Sequence, residues 1–153
     1  TAGINPHSTY PDRLSGGRMG VYTRSVQDDY APYIKPQHYG NKSKVSRAIL
    51  NPPQEVGLKI SGKNLNLSVS PYSIQELSTK AHAHELVAGT HNHLYIDVAM
   101  MGVGGDLSWA PATHEEFLLK EKSYLLRCKL MPYRYRRRPR HLAKMIYNVG
   151  SQG

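Results

Sequence analysis

The residues best equipped for chemistry fall in one stretch, MGVGGDLSWAP, residues 101–111. It brings together Gly102, Gly104, Gly105, the carboxylate of Asp106 and Trp109, the only tryptophan of the 153-residue chain. An indole outside any alternating strand is either a flat apolar platform, on which the face of a sugar or a base can rest, or a plug of local packing. The residue pattern leaves both uses open. The glycines beside it allow backbone conformations closed to other residues, as a wide connection between strands needs. They do not form a phosphate loop: the third glycine of G-x-G-x-x-G would fall on Leu107, and no Lys-Ser/Thr pair follows.

Other reactive side chains are arranged less tellingly. His82 and His84, and again His91 and His93, stand two apart, a spacing that on a strand would aim two imidazoles to one side and could hold zinc or iron. The first pair falls near the end of an expected helix, where residues two apart do not share a face, so solvated or hydrogen-bonded histidines are expected and no metal site is assigned. Paired carboxylates could suggest acid/base work on a glycosidic bond, but Asp28 and Asp29, or Glu115 and Glu116, are adjacent, and adjacent side chains on a strand point to opposite faces. No Ser-His-Asp arrangement stands out. Cys128, the single cysteine, excludes an internal disulfide and is expected as a core thiol in the middle of a strand.

The elements that must position these groups read as mostly β. KVSRAIL (44–50) is a strand. GLKIS (57–61) and NLNLSV (64–69), separated by GK, carry Leu58, Ile60, Leu65, Leu67 and Val69 in the alternation of a half-buried hairpin. Ser73 stands three residues before Glu76, a capping box that opens one short helix over about 73–81. HLYIDVAMM (93–101) and the run ending in YLLRCKL (124–130) continue the strand pattern, with the tryptophan stretch between them. Residues 1–44 read as turns and loops, with prolines at 6, 11, 32 and 36. A loop region that long points to a functional surface or to partner structure elsewhere.

Composition bounds the rest. The length is that of one domain. Six of the nine surplus positive charges lie beyond Met131 (Arg134, Arg136, Arg137, Arg138, Arg140, Lys144), with no acid among them. Like-charged blocks are commonly solvated tails, so 131–153 is expected as a solvated or partner-docked extension, and nucleic acid is not expected despite Tyr133, Tyr135 and Tyr147. No apolar run approaches 18 residues and no signal-peptide pattern opens the chain, so a cytoplasmic setting with no membrane partner is the expectation.

Taken together, TYPDR (9–13), YAPYIKPQHYGNKSKVSRAIL (30–50), LNLSVSPYSIQEL (65–77), HAHEL (82–86) and YIDVAMMGVGGDLSWAP (95–111) resemble the C-terminal part of β-galactosidases of glycoside hydrolase family 2, in matching order and spacing from about Gly3 to Leu130. Where the family often carries an acid after PQ this chain has His38, and where arginine is common after GN it has Lys42.

The resemblance implies an antiparallel β-sandwich, the second half of a large supersandwich domain, with residues 1–130 forming the domain segment (1–44 loop-rich, 45–130 strands) and 131–153 a basic extension. It implies hydrolysis of terminal β-D-galactosides such as lactose, with retention, by two glutamates of a barrel domain that lie outside this segment. Trp109 would be the substrate-contacting tryptophan, delivered across a domain boundary by a loop supported by Gly102, Gly104, Gly105 and Asp106. No catalytic residue and no metal ligand is implied here; magnesium and sodium belong to the catalytic domain. The implied partners are the remaining β-galactosidase domains or a large subunit, a galactoside and further copies of the chain, since exposed apolar surface and free strand edges favour self-association. The segment alone is expected to be inactive. The alternative is a stand-alone carbohydrate-binding sandwich without catalysis.

Overall fold

A computed structural model describes residues 1–5, 7–52, 56–105 and 112–134. Its centre is one 14-residue strand. Counting in chain order, the strands are β1 (Ala2–Asn5), β2 (Arg18–Val21), β3 (Lys42–Leu50), β4 (Gly57–Ser70), β5 (His93–Asp97) and β6 (Cys128–Tyr133), with one α-helix, α1 (Ile74–Thr79), and short 3-10 turns. All pairings are antiparallel in a six-stranded sheet ordered β2-β1-β3-β4-β5, with β6 also on β4. This is the mostly β, sandwich-type architecture expected.

The hairpin expected over 57–69 does not form. Both of its arms are halves of β4, which runs straight through Gly62 and Lys63. The reason is the pairing available on each side. β3 pairs with both halves, from Leu50 with Leu58 to Lys42 with Leu67, while the opposite edge is taken by β6 against Gly57–Gly62 and by β5 against Asn66–Ser70. Arms folded onto each other would forfeit these ladders.

A long strand explains the core. Val45 and Ala48 are three residues apart, and Ile60 and Leu65 five, so strict alternation would send the members of each pair to opposite faces. Register shifts between β3 and β4 at Lys42–Val45 and Val45–Arg47 absorb the mismatch. Lys44 and Asn64, at φ 52° and 54°, are the left-handed residues within them. Val45, Ala48, Ile60, Leu65 and Leu67 then join one buried cluster, flanked by Leu50, Leu58, Val69, Leu94 and Ile96. Each fully buried aliphatic side chain contributes about 1.5–3 kcal/mol relative to exposure.

Helix α1 begins as expected, with the Ser73 hydroxyl accepting from the Glu76 amide at 3.0 Å. The Glu76 carboxylate, however, accepts from the Val87 amide at 3.2 Å and so ties the following loop to the helix. The strand expected over 93–101 ends at Asp97. The stretch 1–44 holds more than loops, since β1 and β2 pair there and β1 continues the sheet onto β3. At the other end, β6 runs to Tyr133, across the expected start of the extension, and residues 135–153 lie outside the described residues. Cys128 is exposed, not a core thiol: among the described residues β6 pairs only with β4, and its Leu130 is 53% exposed.

The two positions that depart from the family resemblance are both built in. Lys42 is 5% exposed, and its ammonium donates to Asp29 Oδ2 at 2.7 Å and to the Gly40 carbonyl at 2.9 Å, so a buried charge is paired rather than stranded. His38 lies 3.0 Å from the Ser68 hydroxyl and packs edge-on against Tyr95. Burial lowers its pKa, against the opposing pull of Asp97. Tyr39 beside it is pushed up to about 12 by burial and stays a neutral phenol.

His38 therefore binds its proton less readily folded than unfolded, and stability is lost as pH falls through the ordinary imidazole value, near 6.5, toward the lowered folded value. The His38→Gln variant should lose less melting temperature between pH 7 and pH 5 than the wild type. Parallel curves would mean that His38 titrates alike in both states.

Candidate functional site

The base of the glycine-rich loop is well defined, and a distant carboxylate holds it. Asp12 lies in the 3-10 turn Pro11–Gly16, which Pro11 opens at a position needing no amide donor. Asp12 Oδ2 accepts from two successive loop amides, Val103 at 2.9 Å and Gly104 at 2.6 Å. These partners lie 91 and 92 residues along the chain. The opposite side of the loop is also tied. Gly102 donates its amide to the Phe117 carbonyl at 2.9 Å, and its carbonyl accepts from the Thr113 hydroxyl at 3.2 Å. Gly102 is buried because nothing larger fits: a Cβ there would lie 2.7 Å from Phe117 Cβ, 3.0 Å from Thr113 Cγ2 and 3.1 Å from Asp12 Cγ.

Asp12 is itself placed by a buried polar knot. The Thr9 amide donates to the Asn41 carbonyl at 2.8 Å, the Asn41 side-chain amide donates to the Thr9 carbonyl at 2.7 Å, and the Ser43 amide donates to the Thr9 hydroxyl at 2.8 Å. The Ser43 hydroxyl adds a bond to the Thr9 carbonyl at 3.0 Å. Thr9 and Asn41 are 1% and 0% exposed. The segment preceding Asp12 is thereby fastened to the entrance of β3. Tyr10, between Thr9 and the turn, has its pKa raised by burial and by the neighbouring Tyr33 and Asp12, so it too stays neutral.

Of the residues expected to form the site, Gly102 is buried, while Gly104 and Gly105 are exposed at the loop surface. Asp106 and Trp109 lie outside the described residues. Asp12 was legible only as part of the TYPDR block, with no signal of what it touches. The adjacent carboxylates of Asp28 and Asp29 do not act as a pair: Asp29 is taken by Lys42, and Arg24 lies 3.9 Å from its second oxygen. Glu115 pairs with Lys120 at 2.8 Å.

The histidines correct one expectation. His82 and His84 do come together, their rings stacked 5.4 Å apart, because His82 caps and His84 lies in a 3-10 turn (Ala83–Glu85) separate from the helix. With Glu85 they form the one group, among the described residues, whose ligating atoms lie within 4.8 Å of one another. Capping accounts for the arrangement. Glu85 Oε2 accepts from the His82 and Ala81 amides at 3.2 and 3.0 Å, which lowers its pKa, and the Glu85 amide donates to the His82 carbonyl at 3.1 Å. His91 is bonded to the Thr90 hydroxyl at 2.8 Å, and His93 pairs with Ser70 in the β4–β5 ladder. A groove of about 480 Å³ lined by Val21, Tyr22, Lys42, Arg47 and Leu67 includes none of the glycine-loop residues.

Comparison with known proteins gives this geometry its setting. The sequence profile of the beta galactosidase small chain matches residues 2–130. The chain belongs to the β-galactosidase small-chain family. It is similar to the β-galactosidase of Pseudoalteromonas haloplanktis, with 40% identity over 122 residues, 80% of this chain and 11% of that protein. It is similar as well to that of Vibrio vulnificus, with 38% identity over 130 residues, 85% and 12% of the two chains. The match to that of Lactobacillus delbrueckii subsp. bulgaricus is 40% identical over 135 residues, 85% and 13%. The chain thus spans about an eighth of the length of these β-galactosidases.

Within this small-chain segment the lack of room at Gly102 should be measurable. Replacing it with alanine is expected to cost about 1–3 kcal/mol through overpacking, read as a lowered melting temperature. Gly89→Ala, whose Cβ would meet nothing nearer than 3.9 Å, should be close to neutral. Equal effects would show that the loop base is softer than its contacts imply.

Proposed function

We propose that this chain is the C-terminal sandwich segment of a β-galactosidase hydrolysing terminal β-D-galactosides such as lactose, and that it supplies one substrate-contacting aromatic residue, Trp109, rather than a catalytic group. The observation that carries this reading is the glycine-rich loop base tied on both sides, by Asp12 and by Phe117 and Thr113, immediately ahead of the tryptophan. A loop anchored this way serves a residue whose position matters. Retaining hydrolysis needs two carboxyl groups about 5 Å apart; on this reading both are glutamates of a catalytic part supplied by the rest of the enzyme. Magnesium and sodium belong to that part and enter no step assigned to these residues.

What the chain does in the reaction is bind. The indole face offers an apolar wall to the sugar or to the leaving group, and the remaining surface packs against other domains of the enzyme or a large subunit. Several large apolar side chains support such packing by standing exposed: Ile34 at 87%, Val87 at 73% and Leu125 at 69%. Free strand edges also suit a homo-oligomer. A cytoplasmic setting accords with this role; no helix among the described residues is long and apolar enough to cross a membrane.

The test is complementation. A chromogenic β-galactoside is offered to this chain alone, to a catalytic part truncated ahead of the matching region, and to the two together, with activity expected only in the mixture. In that assembled enzyme Trp109→Ala should raise KM or reduce transfer to sugar acceptors. The loss should correspond to about 1–3 kcal/mol, the scale of an aromatic stack on a base. Unchanged KM and unchanged transfer would remove Trp109 from the site, while galactoside binding by the isolated chain would favour a stand-alone carbohydrate-binding module.

A further inference from the structure

We infer that Asp12 is the positioning residue of the glycine-rich loop: by taking the Val103 and Gly104 amides on one carboxylate oxygen, it fixes the loop base and thereby tunes binding of the galactoside. The inference rests on the reading that this loop serves substrate.

Three independent observations carry it. The first is chemical. Two successive amides aimed at one oxygen need an acceptor with two free lone pairs, which a carboxylate or carboxamide oxygen offers and an alanine does not. The second is steric. The carboxylate lies against the loop so closely that a Cβ on Gly104 would come within 3.0 Å of Asp12 Oδ2, and one on Gly102 within 3.1 Å of Asp12 Cγ, so the two glycines and the short acid form one fitted unit. A longer Glu would push the loop away. The third is the fate of the other oxygen. Asp12 Oδ1 is buried without a hydrogen-bond partner among the described residues. A buried acceptor left unsatisfied is a cost that folded proteins rarely keep without a compensating duty. Here the duty is the two-amide clamp, whose geometry dictates where the rest of the carboxylate must lie.

The clamp transmits position because its other end does not move freely. Thr9 is locked to Asn41 and Ser43 at the start of β3. From there only Tyr10 and Pro11 separate the anchored residue from Asp12. The loop base is consequently referenced to the central sheet, although no strand runs through it. Small displacements of a binding group are costly in enzymes, so loss of the reference should be felt at the substrate rather than in the fold.

The experiment uses the assembled β-galactosidase and four variants: Asp12→Ala, Asp12→Asn, Trp109→Ala and the Asp12→Ala/Trp109→Ala double variant. Folding is checked by melting. Asp12→Ala should raise KM for a nitrophenyl galactoside by on the order of ten- to a hundredfold, with a smaller change in kcat. Amide hydrogen exchange at Val103 and Gly104 should also accelerate. Asp12→Asn, which keeps an accepting oxygen, should recover most of both losses, and the double variant should be no worse than Trp109→Ala alone. Unchanged KM in folded Asp12→Ala, or unchanged exchange at the two amides, overturns the inference. So does strict additivity in a cycle where Trp109→Ala is itself impaired. A silent Trp109→Ala beside an impaired Asp12→Ala would instead retire the tryptophan reading and leave Asp12 as the residue positioning the loop. Should Asp12→Ala fail to fold, Asp12→Glu carries the test: raised KM with faster exchange at the Val103 and Gly104 amides supports the clamp, and wild-type KM in folded Asp12→Glu contradicts it.

Discussion

A small buried knot of hydrogen bonds, joining Thr9, Asn41 and Ser43 where the chain enters β3, is the constraint on which the arrangement depends. Buried polar groups are expensive unless paired, and once paired they admit few alternative geometries. The knot therefore fastens a segment that would otherwise wander over the surface to the best-packed part of the sheet. Just beyond it comes the turn carrying Asp12. The buried cluster of Val45, Leu65 and Leu67 is in this way linked to a loop base some ninety residues beyond Asp12 along the chain.

The same logic explains why the sheet is built around one long strand. β4 holds β3 on one edge and both β5 and β6 on the other, so segments from three distant parts of the sequence share a common reference. β5 leads out toward the glycine-rich loop, and the chain returns past Thr113 and Phe117, which hold that loop from the far side, before it reaches β6. An apolar exterior along residues 118–130 is consistent with a segment that completes its burial against other structure.

What could be read from the residues divides along the range of the interactions. The start of α1 was legible because the Ser73 cap is local, and the core of β4 because alternation is local too. The continuity of β4 was not, since whether Gly62 and Lys63 turn the chain or only shift its register depends on which strands lie alongside. Cys128 misled for a related reason: an alternating strand says that one face is covered, not by what, and the outer face of β6 lies bare among the described residues. The stacking of His82 and His84 was not legible either, because the helix ends at Thr79 and a separate 3-10 turn follows it. Asp12 was visible as a letter in TYPDR and invisible as an interaction, because no spacing rule connects it with Val103 and Gly104. The family came instead from a set of blocks in order, which carries information that no single spacing holds.

The central claim is that this segment brings its tryptophan to a galactoside only within the assembled enzyme. Since the chain has one tryptophan, labelling it alone with 5-fluorotryptophan and combining it with an unlabelled catalytic part yields a single fluorine resonance from Trp109. The account predicts that this resonance shifts when a non-hydrolysable galactoside is added to the assembly and stays put when the sugar is added to the isolated chain. A resonance indifferent to saturating sugar in an active assembly would contradict it.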